Sequence, residues 1–231
     1  MTKVKQKKKK YLVLILFLKN LKWLKKKNKK IKKKKKKYLA LILARKNSKR
    51  LKNKNIKILG KKPLIIITLD NLIKIKYLFH DIVVSSDSEV IEKYAKKKNV
   101  TFIKRPKKLA ASNTSSEKSA IHSIKKYENK FSKVDYIILF QVTSPFRKNS
   151  SIKKMINLSK KYPKDQIVSI SDKTKQKPNG VLYLTPKKKL FKTENFSCKN
   201  FRPYLIKSKK ETLDIDTYSD FKIAKKIISK K

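Results

Sequence analysis

Residues 39–55 read Leu-Ala-Leu-Ile-Leu-Ala-Arg-Lys-Asn-Ser-Lys-Arg-Leu-Lys-Asn-Lys-Asn, an unbroken apolar run that passes directly into a loop of cations and amides. An apolar stretch with no polar alternation is the pattern of a strand covered on both faces, and such strands belong to α/β sheets. The loop after it carries Arg45, Lys49, Arg50, Lys54 and Asn55. A buried strand ending in fixed cations is how an α/β fold holds a triphosphate at the carboxyl edge of its sheet.

The rest of the body alternates in the same way. Strands are expected at Tyr38–Leu43, Asp81–Ser85, Val100–Ile103, Tyr136–Gln141, Ile167–Ile170 and Val181–Leu184. Helices are expected at Pro63–Lys76, Glu89–Lys98, Ser116–Tyr127, Ser151–Tyr162 and Ser219–Ser229. Ser116 and Ser151 read as N-caps, Pro63 as a first-turn proline and Asn179-Gly180 as a hairpin turn. The pattern predicts one α/β domain with a mostly parallel sheet and helices on both faces.

Residues 1–37 do not join this pattern. Lysine blocks flank Tyr11–Leu18, an apolar run too short to span a bilayer and without the small-residue cleavage site of a signal peptide. They read as a Lys-rich N-terminal extension, disordered or peripheral, beside a domain at 38–231. A helix attracted to anionic lipid is the alternative.

Lysine dominates throughout: 67 Lys+Arg stand against 15 Asp+Glu, a formal charge of +52. Because the lysines recur in every loop through Lys231, we read a compositional bias over an ordinary fold rather than a dedicated polyanion surface. Only two glycines occur, Gly60 and Gly180, which excludes a glycine-rich phosphate loop. The single Cys198 excludes a disulfide within the chain, and His80 and His122 lack zinc-ligand spacing.

In a chain so poor in acids, Leu213-Asp-Ile-Asp-Thr217 stands out. Alternate residues of a strand face the same way, so Asp214 and Asp216 can aim two carboxylates at one Mg²⁺. Two acids here can also be a helix N-cap and its neighbour. Cations for phosphate at one end and a carboxylate pair for metal at the other imply nucleotidyl transfer.

These blocks also carry a resemblance. Leu43–Asn55, Val83–Asp87, Arg105–Ala110, Leu139–Arg147, Asn179–Tyr183 and Leu213–Thr217 resemble, in order, the motifs of the acylneuraminate cytidylyltransferases, the CMP-sialic acid synthetases with their legionaminate and pseudaminate relatives. The resemblance implies a single Rossmann-like domain of the nucleotide-diphospho-sugar transferase type. It implies a cytoplasmic enzyme that uses CTP and Mg²⁺ to activate an acidic nine-carbon sugar for surface glycans. It places Arg45, Lys49 and Lys54 on the phosphates, with Asn55, Arg105 and Ser116 near the nucleotide. Gln141, Tyr183 and Phe196 fall toward the sugar, and Asp214 and Asp216 on the metal, so that Arg45, Lys54, Asp214 and Asp216 form the catalytic set. The family is homodimeric, and the stretch between Arg147 and Asn179, which builds its dimerisation arm, is shortened here. Val142 stands where the family has proline, and Ser112 where it has aspartate. An inactive nucleotide-binding homologue and a polyanion-binding protein acting through residues 1–37 are the alternatives.

Overall fold

The structure is a computed structural model and describes residues 15–21, 35–48, 50–111, 113–174 and 176–229. The chain divides into two units, Met1–Lys36 and Lys37–Lys231. In the first, residues 15–21 form a short helix with exposed side chains. Among the described residues no helix is long and apolar enough to cross a membrane.

The second unit is built on a seven-stranded sheet. Its strands are β1 (Tyr38–Leu43), β4 (Asp81–Ser86), β5 (Thr101–Lys104), β6 (Tyr136–Phe140), β7 (Ile167–Ile170), β8 (Pro178–Pro186) and β9 (Arg202–Leu205). A separate two-stranded ribbon comprises β2 (Ile58–Leu59) and β3 (Lys62–Pro63). The sheet order is β5-β4-β1-β6-β8-β7-β9. Strands β5, β4, β1 and β6 are parallel neighbours, β7 is parallel to β9, and β8 runs antiparallel to both β6 and β7. The helices are α1 (Leu64–Ile73), α2 (Glu89–Lys97), α3 (Lys107–Ala110), α4 (Ser116–Lys130), α5 (Asn149–Lys161), α6 (Lys187–Thr193) and α7 (Tyr218–Ser229).

The apolar strands are explained by two cores. Ala40 and Ile42 of β1 pack into one with residues of α1, α2, α5 and α7, while Leu39 and Leu41 pack into the other with Ala120, Ile124 and Leu190. Ile82 and Val84 alternate with Val83, and Ile138 and Phe140 with Ile137 and Leu139, in the same way. Side chains at successive positions point to opposite faces, so a strand with a core on each side must be apolar at every position.

The helix ends differ from expectation by small steps. Ser115, not Ser116, caps α4, accepting from Lys118 N at 3.2 Å. Lys148 rather than Ser151 precedes α5, and Ser151 is buried inside it. Pro63 precedes α1 rather than opening its first turn. The larger correction is at Asn179-Gly180, which lies within β8 and makes no hairpin turn. Asn179 Oδ1 instead accepts from Ser169 Oγ at 2.6 Å and from Val181 N at 3.1 Å, where the β7–β8 register slips. The two-residue turn is at the other glycine: Gly60, φ +64°, begins the link from β2 to β3. Residues 148–178 are taken up by α5, β7 and the bend into β8, with no projecting arm among the described residues.

Candidate active site

The parallel strands end on one edge, and β1 sits where the chain order reverses, with β4 on one side and β6 on the other. Crevices outside the carboxyl ends of strands open at such a switch point. Here the crevice is a cleft of about 720 Å³.

Its first wall is the loop after β1. Ala44 N donates to Ser85 O (3.1 Å) and Lys46 N to Asp87 Oδ1 (2.8 Å), fastening the loop to the end of β4. Asn53 takes a left-handed conformation (φ 54°) that Asn tolerates. That bend leads into a single helical turn, Lys54–Ile56. Asn55 is buried, and its amide donates to Arg45 O at 2.8 Å, closing the loop on itself. Arg45, Arg50 and Lys54 thereby line the cleft together.

The far wall is Leu213–Thr217. It belongs to no strand, which corrects the expectation of alternate strand positions. The alternation survives because Ile215 N donates to Thr143 O at 2.8 Å and the Ile215 side chain is fully buried. Asp214 and Asp216 then both line the cleft. The competing N-cap reading is settled by Thr217 and Asp220: Asp220 Oδ2 accepts from the amides of Asp216 (3.1 Å) and Thr217 (2.8 Å), and Asp220 N donates to Thr217 Oγ1 (3.2 Å). This is a reciprocal capping box, so the helix start makes no demand on Asp214 or on the Asp216 carboxylate.

The walls meet through charge. Asp216 is held by Lys54 Nζ at 2.7 Å and by Arg50 Nη2 at 2.8 Å. Asp214 has a buried Oδ1 without a protein hydrogen-bond partner. Burial raises its carboxyl above the ordinary aspartate value; the Thr143 hydroxyl opposes that shift and the nearby Asp216 adds to it.

The floor comes from β5 and β6. Arg105 follows β5 and is buried, donating from Nη2 to Ser85 O (2.8 Å) and from Nε to Ser85 Oγ (3.3 Å). Burial, with a smaller push from Arg45, lowers its guanidinium to about 10 despite Asp87 nearby. Ser116 and Gln141 also face the cleft, from the first turn of α4 and the end of β6.

Eight of the eleven expected site residues therefore share one cleft. Lys49 lies outside the described residues. Tyr183 and Phe196 do not line it: Phe196 is 2% exposed within the second core, its ring 6.2 Å from that of half-buried Tyr183. The large apolar surface of Phe196 is packed against the sheet, which corrects its expected place in a sugar pocket. Arg50, Thr143 and Gly180 lie within the motif blocks but were given no site role there; Arg50 and Thr143 line the cleft and Gly180 adjoins it. A Cβ on Gly180, φ +81°, would stand 3.2 Å from Gln141 Oε1 and 3.5 Å from Asp214 Oδ2. The scarcity of glycine in this chain was the signal for that position.

A switch-point cleft with cations facing a carboxylate pair on this sheet defines a Rossmann-like nucleotidyltransferase domain. Residues 39–222 match the family described as cytidylyltransferase, and the chain belongs to that family. It is similar to the N-acylneuraminate cytidylyltransferase of Escherichia coli, 28% identical over 202 residues, covering 74% of this chain and 47% of that protein. The enzyme of the same name from Streptococcus agalactiae is 26% identical over 194 residues, covering 69% and 46%. The chain thus spans about half the length of the curated relatives it matches. A cytidylyltransferase structure from Leptospira borgpetersenii superposes with a TM-score of 0.66 at 19% identity, covering 85% of this chain and 88% of that one. A CMP:2-keto-3-deoxy-manno-octonic acid synthetase complexed with CTP superposes at 0.64 and 11%, covering 84% and 99%.

Proposed function

We propose that the protein transfers a cytidylyl group from CTP to an acidic nine-carbon sugar of the sialic-acid type and releases pyrophosphate. One observation carries the reading: Arg45 and Lys54 face Asp214 and Asp216 across a single cleft at the switch point of a cytidylyltransferase-family sheet. The acceptor is carried over from relatives named for N-acylneuraminate. CTP is a cytoplasmic metabolite, and the enzyme would act there. A homodimer belongs to the same proposal, formed without a long arm, and the molecular mass in solution tests it.

Mg²⁺ is the proposed cofactor, and the donors fit it. Asp214 offers a buried oxygen lacking a protein partner, and Asp216 a second carboxylate on the same side. Bound there, the ion would neutralise triphosphate charge and lower the pKa of the attacking sugar hydroxyl. The chain's own residues bind and orient. Arg45 would hold phosphate oxygens with a forked guanidinium, and Lys54, already beside Asp216, would follow the charge growing on the departing pyrophosphate. Arg105 and Ser116 would bound the nucleoside and Gln141 the acceptor, fixing the hydroxyl in line with the α-phosphorus.

Pyrophosphate release from CTP and Mg²⁺ is the test, with a panel of nine-carbon keto acids plus Kdo. Release with one sugar, and none without sugar or metal, is the expected result and names the acceptor. CTP binding with no release from any sugar would overturn the transfer reading and favour the inactive nucleotide-binding homologue.

A further inference from the structure

The antiparallel ladder between β6 and β8 stops short of the cleft. Pairing runs from Tyr136 opposite Pro186 to Leu139 opposite Tyr183. Continued by two positions, the same register would bring Gln141 opposite Val181. The carbonyls of those two residues instead accept from one side chain: Arg147 Nη2 donates to Gln141 O at 2.9 Å, and Arg147 Nε to Val181 O at 2.8 Å. Arg147 is 4% exposed and lies over the Phe140 ring, 5.1 Å from its centroid. Among the described residues no ion pair includes it; Asp214 and Glu211 act on it through space, and burial lowers its pKa to about 10.

A buried guanidinium without an ion pair is a poor source of stability compared with an apolar side chain of similar volume. Its value here is geometric. It has a planar fork of donors, and the fork spans two carbonyls that the ladder has left open. Just beyond, Asn179 Oδ1 takes the Val181 amide, and Gly180 passes without a Cβ beside Gln141 Oε1 and Asp214 Oδ2. Asn71, in the last turn of α1, completes the support, its Nδ2 donating to Arg147 O at 2.8 Å.

We propose that Arg147 is a positioning residue, a side-chain rung that replaces the last step of the β6–β8 ladder and fixes Gln141 and the Gly180 backbone against Asp214. The kinetic consequence rests on the cytidylyl-transfer reading; the structural consequence does not. Arg147→Lys keeps the charge and loses the fork, and Arg147→Met keeps the stem and loses both. In each, the Val181 and Leu182 amides should exchange about tenfold faster or more, with β1 and β4 amides unchanged. Arg147→Lys should also lower kcat about 100-fold while CTP affinity by calorimetry stays at the wild-type value, because a displacement on the order of 1 Å misaligns the acceptor without touching the triphosphate cations. Unchanged exchange at Val181 and Leu182 in a folded variant, or a wild-type kcat in Arg147→Lys, would overturn the proposal. If Arg147→Met does not fold, Arg147→Lys carries both readouts. If the wild-type protein turns over no acceptor, the transfer reading fails, and the exchange rates still decide whether Arg147 is the rung.

Discussion

The two walls of the cleft are built differently. Arg45, Arg50 and Lys54 come from one loop that is closed locally, by the Asn55 amide on Arg45 O and the left-handed turn at Asn53. Asp214 and Asp216 come from a segment without regular structure, placed by two distant parts of the chain, the Thr143 carbonyl and the bare backbone of Gly180, together with the nearby capping carboxylate of Asp220. In a chain with 67 basic and 15 acidic residues, a cation near a phosphate has many substitutes and a carboxylate has few. Geometric control is therefore concentrated on the acids, and substitutions there should have the larger effect.

The sharpest break of that comparison is Asp216→Ala. On the proposed reading Asp216 is a metal carboxylate, and its loss would remove several kcal/mol of transition-state stabilisation, so kcat should fall about 10³-fold or more, while circular dichroism and Tm report an intact fold. Near-normal turnover would remove the metal assignment. Lys54→Ala should cost about 10²-fold in kcat/KM, the loss of one charge-assisted donor to the phosphates. Arg50→Ala should cost less than about tenfold, because its side chain is 68% exposed and its pair with Asp216 is screened by solvent. An Arg50→Ala variant as impaired as Asp216→Ala would mean that the cationic wall is not redundant.

Asp214 sharpens the comparison through pH. Its folded-state pKa lies above that of an unfolded chain, burial being the main cause. Such a group favours folding at pH below its unfolded value, and that contribution is lost as pH rises through the folded value. In metal-free protein Asp214→Asn should therefore melt higher than wild type at neutral pH, with the difference closing on acidification, while turnover is abolished. A neutral-pH Tm below that of wild type would show that the ionised carboxylate is stabilised by partners other than metal.

Much of the fold was legible because periodicity and burial agree. The Ile167–Ile170 strand has the bounds expected, and the three apolar parallel strands of the centre lie within a residue of theirs. The misses have local causes. β9 is four residues long, contains Pro203 and lies at the sheet edge, where no apolar run is required. Helix α6, Lys-Lys-Lys-Leu-Phe-Lys-Thr, buries only Leu190 and so shows no stripe. Asn179-Gly180 carries turn chemistry, but the Asn side chain bonds across to β7 and the positive φ of Gly180 serves a register slip. At the site, residue types and spacing indicated the cations and the Asp pair. Whether Phe196 faces a pocket or a core, and that Arg147 spans two carbonyls, depends on strand ends brought together from distant parts of the chain.

The doubly covered sheet has a consequence for how such a chain can change over time. Among the described residues, the buried charged residues are Arg105, Arg147 and Glu211, and no lysine is among them. A lysine can replace almost any residue whose ammonium reaches water, and the long stem still lies against the apolar surface beneath it. Drift toward lysine can therefore proceed across loops and outer helix faces without reaching the architecture. It stops at the central strands β1 and β6, where successive positions face the two cores and a new cation would have no route to solvent. The sheet acts as a composition filter, permissive outside and closed within, and a sequence can move far from its relatives in composition while remaining the same fold.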